Sequence, residues 1–479
     1  MKDVGDEPNR LIACLACALT DGIELPVVRF VHRWGFGAHA MTVTATGART
    51  RLESFAAAFV LAFAFSACAP SAEDGPPIGQ PSEAALLETA RTIHQDSLVL
   101  DAHADIVVPS TPANFLDAEG VSKIAPAKLK AGGVGAVVMS IAVGPGPRTR
   151  EGDAEARTEA NEKLAAVLAL AATNTDTVAI AKSSDEILTI RKSGRTALIL
   201  GFQNARSLER NVSALDTFYE AGVRVFALNH LAHNDFSDSS RPFHDPVTGL
   251  YEADAHGGLS PLGVAAIERI NALGGVVDVS QMSKAATLAA IATSKTPVIA
   301  SHSNVRAISN ATRNLSDEEI DRIGATGGVI HVAPFAAYLI NFSTPEKLEA
   351  IKVARSSAGL PAAYSYPYEL YWELSDPVAK ETFASSIREA LGPATIDIMI
   401  DHVDYIVKRI GIEHVGIGTD FNHGSGIDGY EDASDSLAVT VGLLRRGYSA
   451  DDIKKIWGGN FLRVFREAER AAKSFNVPE

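Results

Sequence analysis

The sequence predicts an α/β fold of the (β/α)8 barrel type, a TIM barrel, with an extended insertion before its eighth strand. Three observations predict it. Beyond residue 82, short apolar runs alternate with amphipathic helical patterns. The runs number eight, the count that closes such a barrel. Polar residues gather where the runs end, which is where this barrel carries its active sites.

The runs are 98–101 (LVLD), 136–141 (AVVMSI), 197–202 (ALILGF), 223–228 (VRVFAL), 276–279 (VVDV), 297–300 (PVIA), 328–332 (GVIHV) and 414–417 (HVGI). They lack polar alternation, as strands do when helices cover both faces of a parallel sheet. Between them, 213–221 and 261–273 carry helical periodicity, and Pro261 suits a first helical position. A further helix opens at Ser316, where Ser316 and Glu319 have capping-box spacing and the acidic first turn suits the positive helix end. Residues 335–395 are the insertion. Such an insertion on the active-site face fits a lid or a contact in a homodimer, and the Tyr364, Tyr366, Tyr368, Tyr371 and Trp372 that crowd into it fit plain packing or a substrate wall.

Ahead of the barrel, 55–67 (FAAAFVLAFAFSA) is apolar, follows Arg49 and Arg51, and ends in small residues before Cys68. It is short for a membrane span and has the layout of a secretory signal. The cysteine placement resembles a bacterial lipobox, so Cys68 is the expected lipidation site. Phe65 and Glu53 depart from the usual pattern. The expected organisation is then a misassigned start over 1–40, with Met41 where such a signal would begin, a lipoprotein-type signal peptide over 41–68, a Pro/Ser/Gly-rich linker over 69–81, and a catalytic domain over 82–479. The expected location is the bacterial cell envelope, facing the periplasm or exterior, with membrane contact only through the lipid anchor.

Composition narrows the function. Of 479 residues, 46% are hydrophobic and 21% charged, as in a globular protein, and the formal net charge of −15 argues against nucleic acid as a partner. The three cysteines, Cys14, Cys17 and Cys68, precede the barrel, so a metal site there must use histidine and carboxylate. His103 and Asp105 stand two apart at a strand end and point to one side, half of a zinc site or a solvated strand end. Asp420 ends the eighth run, which neighbours the first in a closed barrel, and His302 ends the sixth. Distant parts of the chain thereby converge on one rim.

The runs LDAHADIV (100–107), KLKAGGVGAVVMSI (128–141), YEAGVRVFALNH (219–230), GLSPLG (258–263), PVIASHS (297–303), ATRNLSD (311–317), HVGIGTDF (414–421) and GGNFLRVF (458–465) together resemble the membrane dipeptidase family. This family, also called renal dipeptidase or peptidase M19, belongs to the amidohydrolase superfamily, and the resemblance covers about residues 85–470. It implies a metal-dependent dipeptidase with a two-zinc site. His103, Asp105 and Asp420 match the ligands of the first metal, and His302 matches one histidine of the second. The family's bridging glutamate is Gln203 here, and its other histidine is Gln281.

Both departures fall on one metal. A glutamine offers a single neutral carbonyl oxygen where glutamate offers charge and two oxygens, and it is a poorer zinc donor than imidazole. One tightly bound zinc is therefore expected, with the second site weak or absent and Gln203 and Gln281 as polar rim residues. His230 matches a histidine that stabilises the oxyanion, and Arg313 an arginine that holds the substrate carboxylate. Asp420 would act as base. The implied substrate is a small peptide with a free C-terminal carboxylate, D-residues included. A one-metal amidohydrolase on another amide and a catalytically silent binding protein on the same scaffold are the alternatives. His233, His244, His256 and His423 are read as solvated loop residues, and His331 as facing the core.

Overall fold

The computed structural model describes residues 82–245, 250–360 and 376–475. The expectations for 1–81, Cys68 among them, and for the aromatic cluster from Tyr364 to Trp372 lie outside the described residues. The strands are β1 (Leu100–Asp105), β2 (Ala136–Ala142), β3 (Val178–Ile180), β4 (Thr196–Gln203), β5 (Val223–Ala227), β6 (His244–Asp245), β7 (Leu250–Tyr251), β8 (Val276–Asp278), β9 (Ile299–Ala300), β10 (Val329–Val332) and β11 (Val415–Ile417).

Eight of them form a parallel sheet in the order β1-β2-β4-β5-β8-β9-β10-β11. A bridge between Ala104 and Phe421 closes it, with bonds from Asp105 N to the Phe421 carbonyl (2.9 Å) and from Asp420 N to the His103 carbonyl (2.7 Å). The eight anticipated runs are these eight strands. The short β3 was not anticipated; it pairs with the first half of β4, Val178 opposite Thr196. β6 and β7 form a small antiparallel hairpin.

Alternation within each strand builds two apolar layers. Val138, Ile199, Val225, Val276, Ile299 and Val329 pack in one cluster with Phe461 and Phe465 of the C-terminal helix Asn460–Phe475. Their neighbours Val137, Leu198, Phe226, Val277, Val298 and Ile330 belong to the larger cluster made with the surrounding helices. Apolar residues on both faces are why the strands read as unbroken runs. Since all eight strands run the same way, their C-terminal ends share one rim.

The helices begin and end as their sequences direct. Ser260 caps Pro261–Leu273 by accepting from Gly263 N, Pro261 occupies the first turn, and Gly274 ends the helix at φ 81°, where a side chain would be strained. At Asp317–Ala325 the capping box forms: Ser316 accepts from the third-residue amide while Glu319 accepts from Ser316 N at 2.8 Å. The insertion contributes the helices Ala336–Leu339, Pro345–Ser357 and Pro377–Leu391, and Ile396–Ile410 then leads into β11. Among the described residues no helix is long and apolar enough to cross a membrane.

Candidate metal centre and substrate site

The end of β1 and the residues after β11 are tied by one buried carboxylate. Asp101 Oδ1 accepts from His103 N (3.1 Å) and Thr419 N (2.7 Å), and Asp101 Oδ2 accepts from Thr419 Oγ1 (2.6 Å). Burial, only partly offset by these donors, raises the Asp101 pKa to about 6. Asp278 does the same between β8 and β9, accepting from Ser280 N (2.9 Å), Ser301 N (3.0 Å) and Ser301 Oγ (2.5 Å). With its own proton given to Asp278, Ser301 Oγ accepts from His302 Nδ1 (2.8 Å) and His103 Nδ1 (3.3 Å). Both imidazoles thus carry hydrogen on Nδ1 and keep the Nε2 lone pair for a ligand or donor. The rings stack, with centroids 3.8 Å apart.

His103 Nε2 lies 3.6 Å from Asp105 Oδ1 and 3.9 Å from Asp420 Oδ1. Donor atoms of His103, His302 and Asp420 all lie within 4.8 Å of one another, and these three side chains are buried. Donors about 2.1 Å from a tetrahedral zinc are about 3.4 Å apart, so the 3.6 and 3.9 Å separations of Asp105 and Asp420 from His103 fit a cation with little movement. Two further observations support the fit. Asp105 Oδ1 and Asp420 Oδ2 are buried without a hydrogen-bond partner, and a buried carboxylate oxygen needs a compensating donor or cation. Burial works against charge on His103, yet Asp105 and Asp420 beside it raise its pKa, so the pocket favours positive charge. Asp420 itself is pushed up by burial, against the opposing pull of His423, His103 and Arg313.

Both glutamines are buried at the same rim. Gln281 Nε2 donates to His302 Nε2 at 2.9 Å, and Arg241 Nη2 reaches Gln281 Oε1 at 3.4 Å. The lone pair His302 would offer a second metal is thereby occupied by an amide. Gln203 Nε2 is buried with no acceptor. Gln281 and Asp420 hold left-handed backbone, at φ 67° and 57°, conformations rare outside glycine that concentrate at functional sites.

His230 follows β5, and its Nδ1 lies 2.9 Å from the Val143 carbonyl, which fixes the hydrogen on Nδ1. Burial first, then His423 and Arg241, hold its pKa well below the usual value. As neutral imidazole it presents a lone pair at Nε2, and it becomes a donor there only on taking a second proton. Arg313 is buried, with its guanidinium 4.3 Å from the Tyr338 ring centroid and Nη2 donating to the His302 carbonyl. Tyr338 Oη in turn accepts from Arg241 Nη1 at 2.9 Å.

Two loop histidines differ from expectation. His423 is only partly exposed, and its Nδ1 lies 2.8 Å from Asp105 Oδ2. The turn at Asp420 carries it back over β1, and Asp105 raises its pKa against the effect of burial. His233 is buried and accepts at Nδ1 from Ser239 N (2.9 Å). His256 lies closer to expectation, half-buried with Nε2 bonded to the Asn234 carbonyl (2.8 Å). The His244 side chain lies outside the described residues. His331 is buried, with Nδ1 on the Ala300 carbonyl (3.1 Å), as expected. Sequence reasoning also missed Asp101, Asp278 and Arg241. The signal for the aspartates was present, since each is a charge inside an apolar strand run, and such a charge must be paired.

A buried histidine–carboxylate cluster thus lies on the C-terminal rim of a (β/α)8 barrel, with orphaned carboxylate oxygens and a buried arginine beside it, an arrangement able to hold a cation. The chain belongs to the membrane dipeptidase family, peptidase family M19, whose model matches residues 87–479. It is 30% identical over 300 residues to dipeptidase tcpJ of Claviceps purpurea, covering 62% of this chain and 57% of that protein. It is likewise 30% identical over 304 residues to dipeptidase verJ of Clonostachys rogersoniana, covering 62% of each. The chain thus spans about three fifths of the length of these relatives. Among solved structures it is similar to the probable dipeptidase PvdM from Pseudomonas aeruginosa, with 33% identity, a TM-score of 0.71, and coverage of 81% of this chain and all of that one.

Proposed function

We propose that this protein hydrolyses the amide bond of dipeptides with a free C-terminal carboxylate, D-residues at that end included. The observation that supports the reading is the contact path from Asp105 through His103 and His302 to Arg313, which would set a cation site beside a carboxylate site. His103, Asp105 and Asp420 would hold the metal, and zinc suits their nitrogen and oxygen donors. When bound, such an ion supplies an acidified water and polarises the scissile carbonyl. Asp420 Oδ2 takes the proton of the attacking water and passes it to the leaving amine; its raised affinity for protons suits both transfers. His230 is neutral in the ground state, and a proton taken up from solvent at Nε2 would make it the donor that stabilises the carbonyl oxygen as it becomes negative. Arg313 holds the terminal carboxylate with two parallel hydrogen-bond donors.

The hydrogen bond from Gln281 to His302 supports a one-metal form of this chemistry. Elemental analysis of the purified protein should find about one tightly held zinc, with any second ion removed by mild chelation. Changing Gln203→Glu and Gln281→His together should raise the content towards two, because a bridging charge and an imidazole donor return. Two tightly bound ions in the unmodified protein would refute the one-metal form. Absence of both metal and dipeptide hydrolysis would leave a binding protein.

The proposal extends to location. With residues 41–68 as a lipoprotein signal, Cys68 carries the acyl chains, and stable anchoring needs more than one of them. Cys68→Ser should move the protein from the membrane fraction to the soluble fraction, and unchanged retention would sink the anchor.

A further inference from the structure

A cavity of about 930 Å³ lies against His423, the neighbour of Asp105, and is formed by loops after β1, β10 and β11 and by the insertion helix Pro377–Leu391. Phe115, Phe335, Ile387, Leu391 and Ile427 line it, and His423 forms the wall it shares with the metal centre. His423 bonds Asp105 on one side, and the Phe115 ring lies 5.2 Å from its own on the other. Its charged lining residues, Arg388, Glu389 and Asp428, are exposed at the mouth.

Substrate polarity follows from the order of contacts. His423 touches Asp105, Asp105 neighbours His103, His103 stacks on His302, and the His302 carbonyl accepts from Arg313. With Arg313 taking the C-terminal carboxylate and the amide over His103 and Asp420, this order of contacts directs the N-terminal residue towards His423 and the cavity. The volume lies in the upper range of pockets that hold drug-sized ligands, so a small N-terminal residue would leave it nearly empty. Apart from His423, whose Nδ1 is engaged by Asp105, the wall is apolar and rewards apolar surface taken from water.

We propose that this cavity is the specificity pocket for the N-terminal residue, and that the substrates are dipeptides whose N-terminal side chain is large and apolar, aromatic or long aliphatic. The inference rests on the dipeptidase reading above.

The test is a series X-Ala with X as Ala, Leu, Phe and Trp, assayed on the zinc-loaded protein. kcat/KM should rise along the series by about 10²-fold, the scale of discrimination an apolar pocket gives over a few methylene equivalents. Ala384→Trp adds bulk from a half-buried position of the insertion helix that lines the cavity. It should bring the Trp-Ala to Ala-Ala ratio down towards one, and Ala336→Trp, at a lining residue after β10, should do the same. A flat series in the parent protein overturns this proposal and leaves the dipeptidase reading standing. A preserved ratio in both variants, each with the parent's melting temperature, also overturns it. No hydrolysis of any member overturns both.

Discussion

Asp420→Asn is expected to lower kcat/KM for any cleaved dipeptide by at least about 10³-fold, within the range that removal of a general acid–base group costs. The substitution isolates chemistry from folding. Asparagine adopts left-handed backbone readily, so the turn at φ 57° survives, and the bond from residue 420 N to the His103 carbonyl does not involve the side chain. What changes is charge: one carboxylate leaves the cluster, and the amide that replaces it cannot accept a proton from water. Metal content should fall with activity, because Asp420 Oδ1 is one of the converging donors 3.9 Å from His103 Nε2. A variant with parent-like stability and activity within tenfold of the parent would remove Asp420 from both roles.

The barrel was readable because its strands are buried on both faces. A strand covered on one side alternates and is easily lost among loops, whereas AVVMSI and ALILGF are continuous and stand out. β3 escaped because three residues, Val178–Ile180, carry too little pattern to distinguish a strand from the end of the preceding helix. The rim histidines were readable from their positions at strand ends. His423 was not: its partner Asp105 is 318 residues away, and a histidine between Asn422 and Gly424 has the local look of a solvated turn. Its role depends on the backbone of Asp420 turning left-handed, which no local residue pattern announces. The Gln281 side chain was placed at the rim from sequence, but its bond to His302 depends on two strands of the sheet being adjacent with their ends level.

Arg313→Met should weaken dipeptide cleavage by about 10²-fold or more, since removing one partner of a buried charge pair costs about 2–5 kcal/mol. Methionine keeps a long apolar stem against Tyr338, whose ring centroid lies 4.3 Å from the guanidinium carbon, so the loss reports on charge more than on packing. The loss should appear mainly in KM, because the terminal carboxylate is present equally in the ground state and the transition state. Selectivity gives the sharper reading. The parent should prefer a free C-terminus over the C-terminal amide, and the variant should treat the two nearly alike, because only the free acid presents a charge to Arg313. The anchored Nη2, which donates to the His302 carbonyl, makes the site rigid, so a neighbouring group cannot readily supply the missing donor. If Arg313→Met discriminates acid from amide as the parent does, the carboxylate is held elsewhere, and the substrate orientation that points the N-terminal side chain towards His423 loses its anchor.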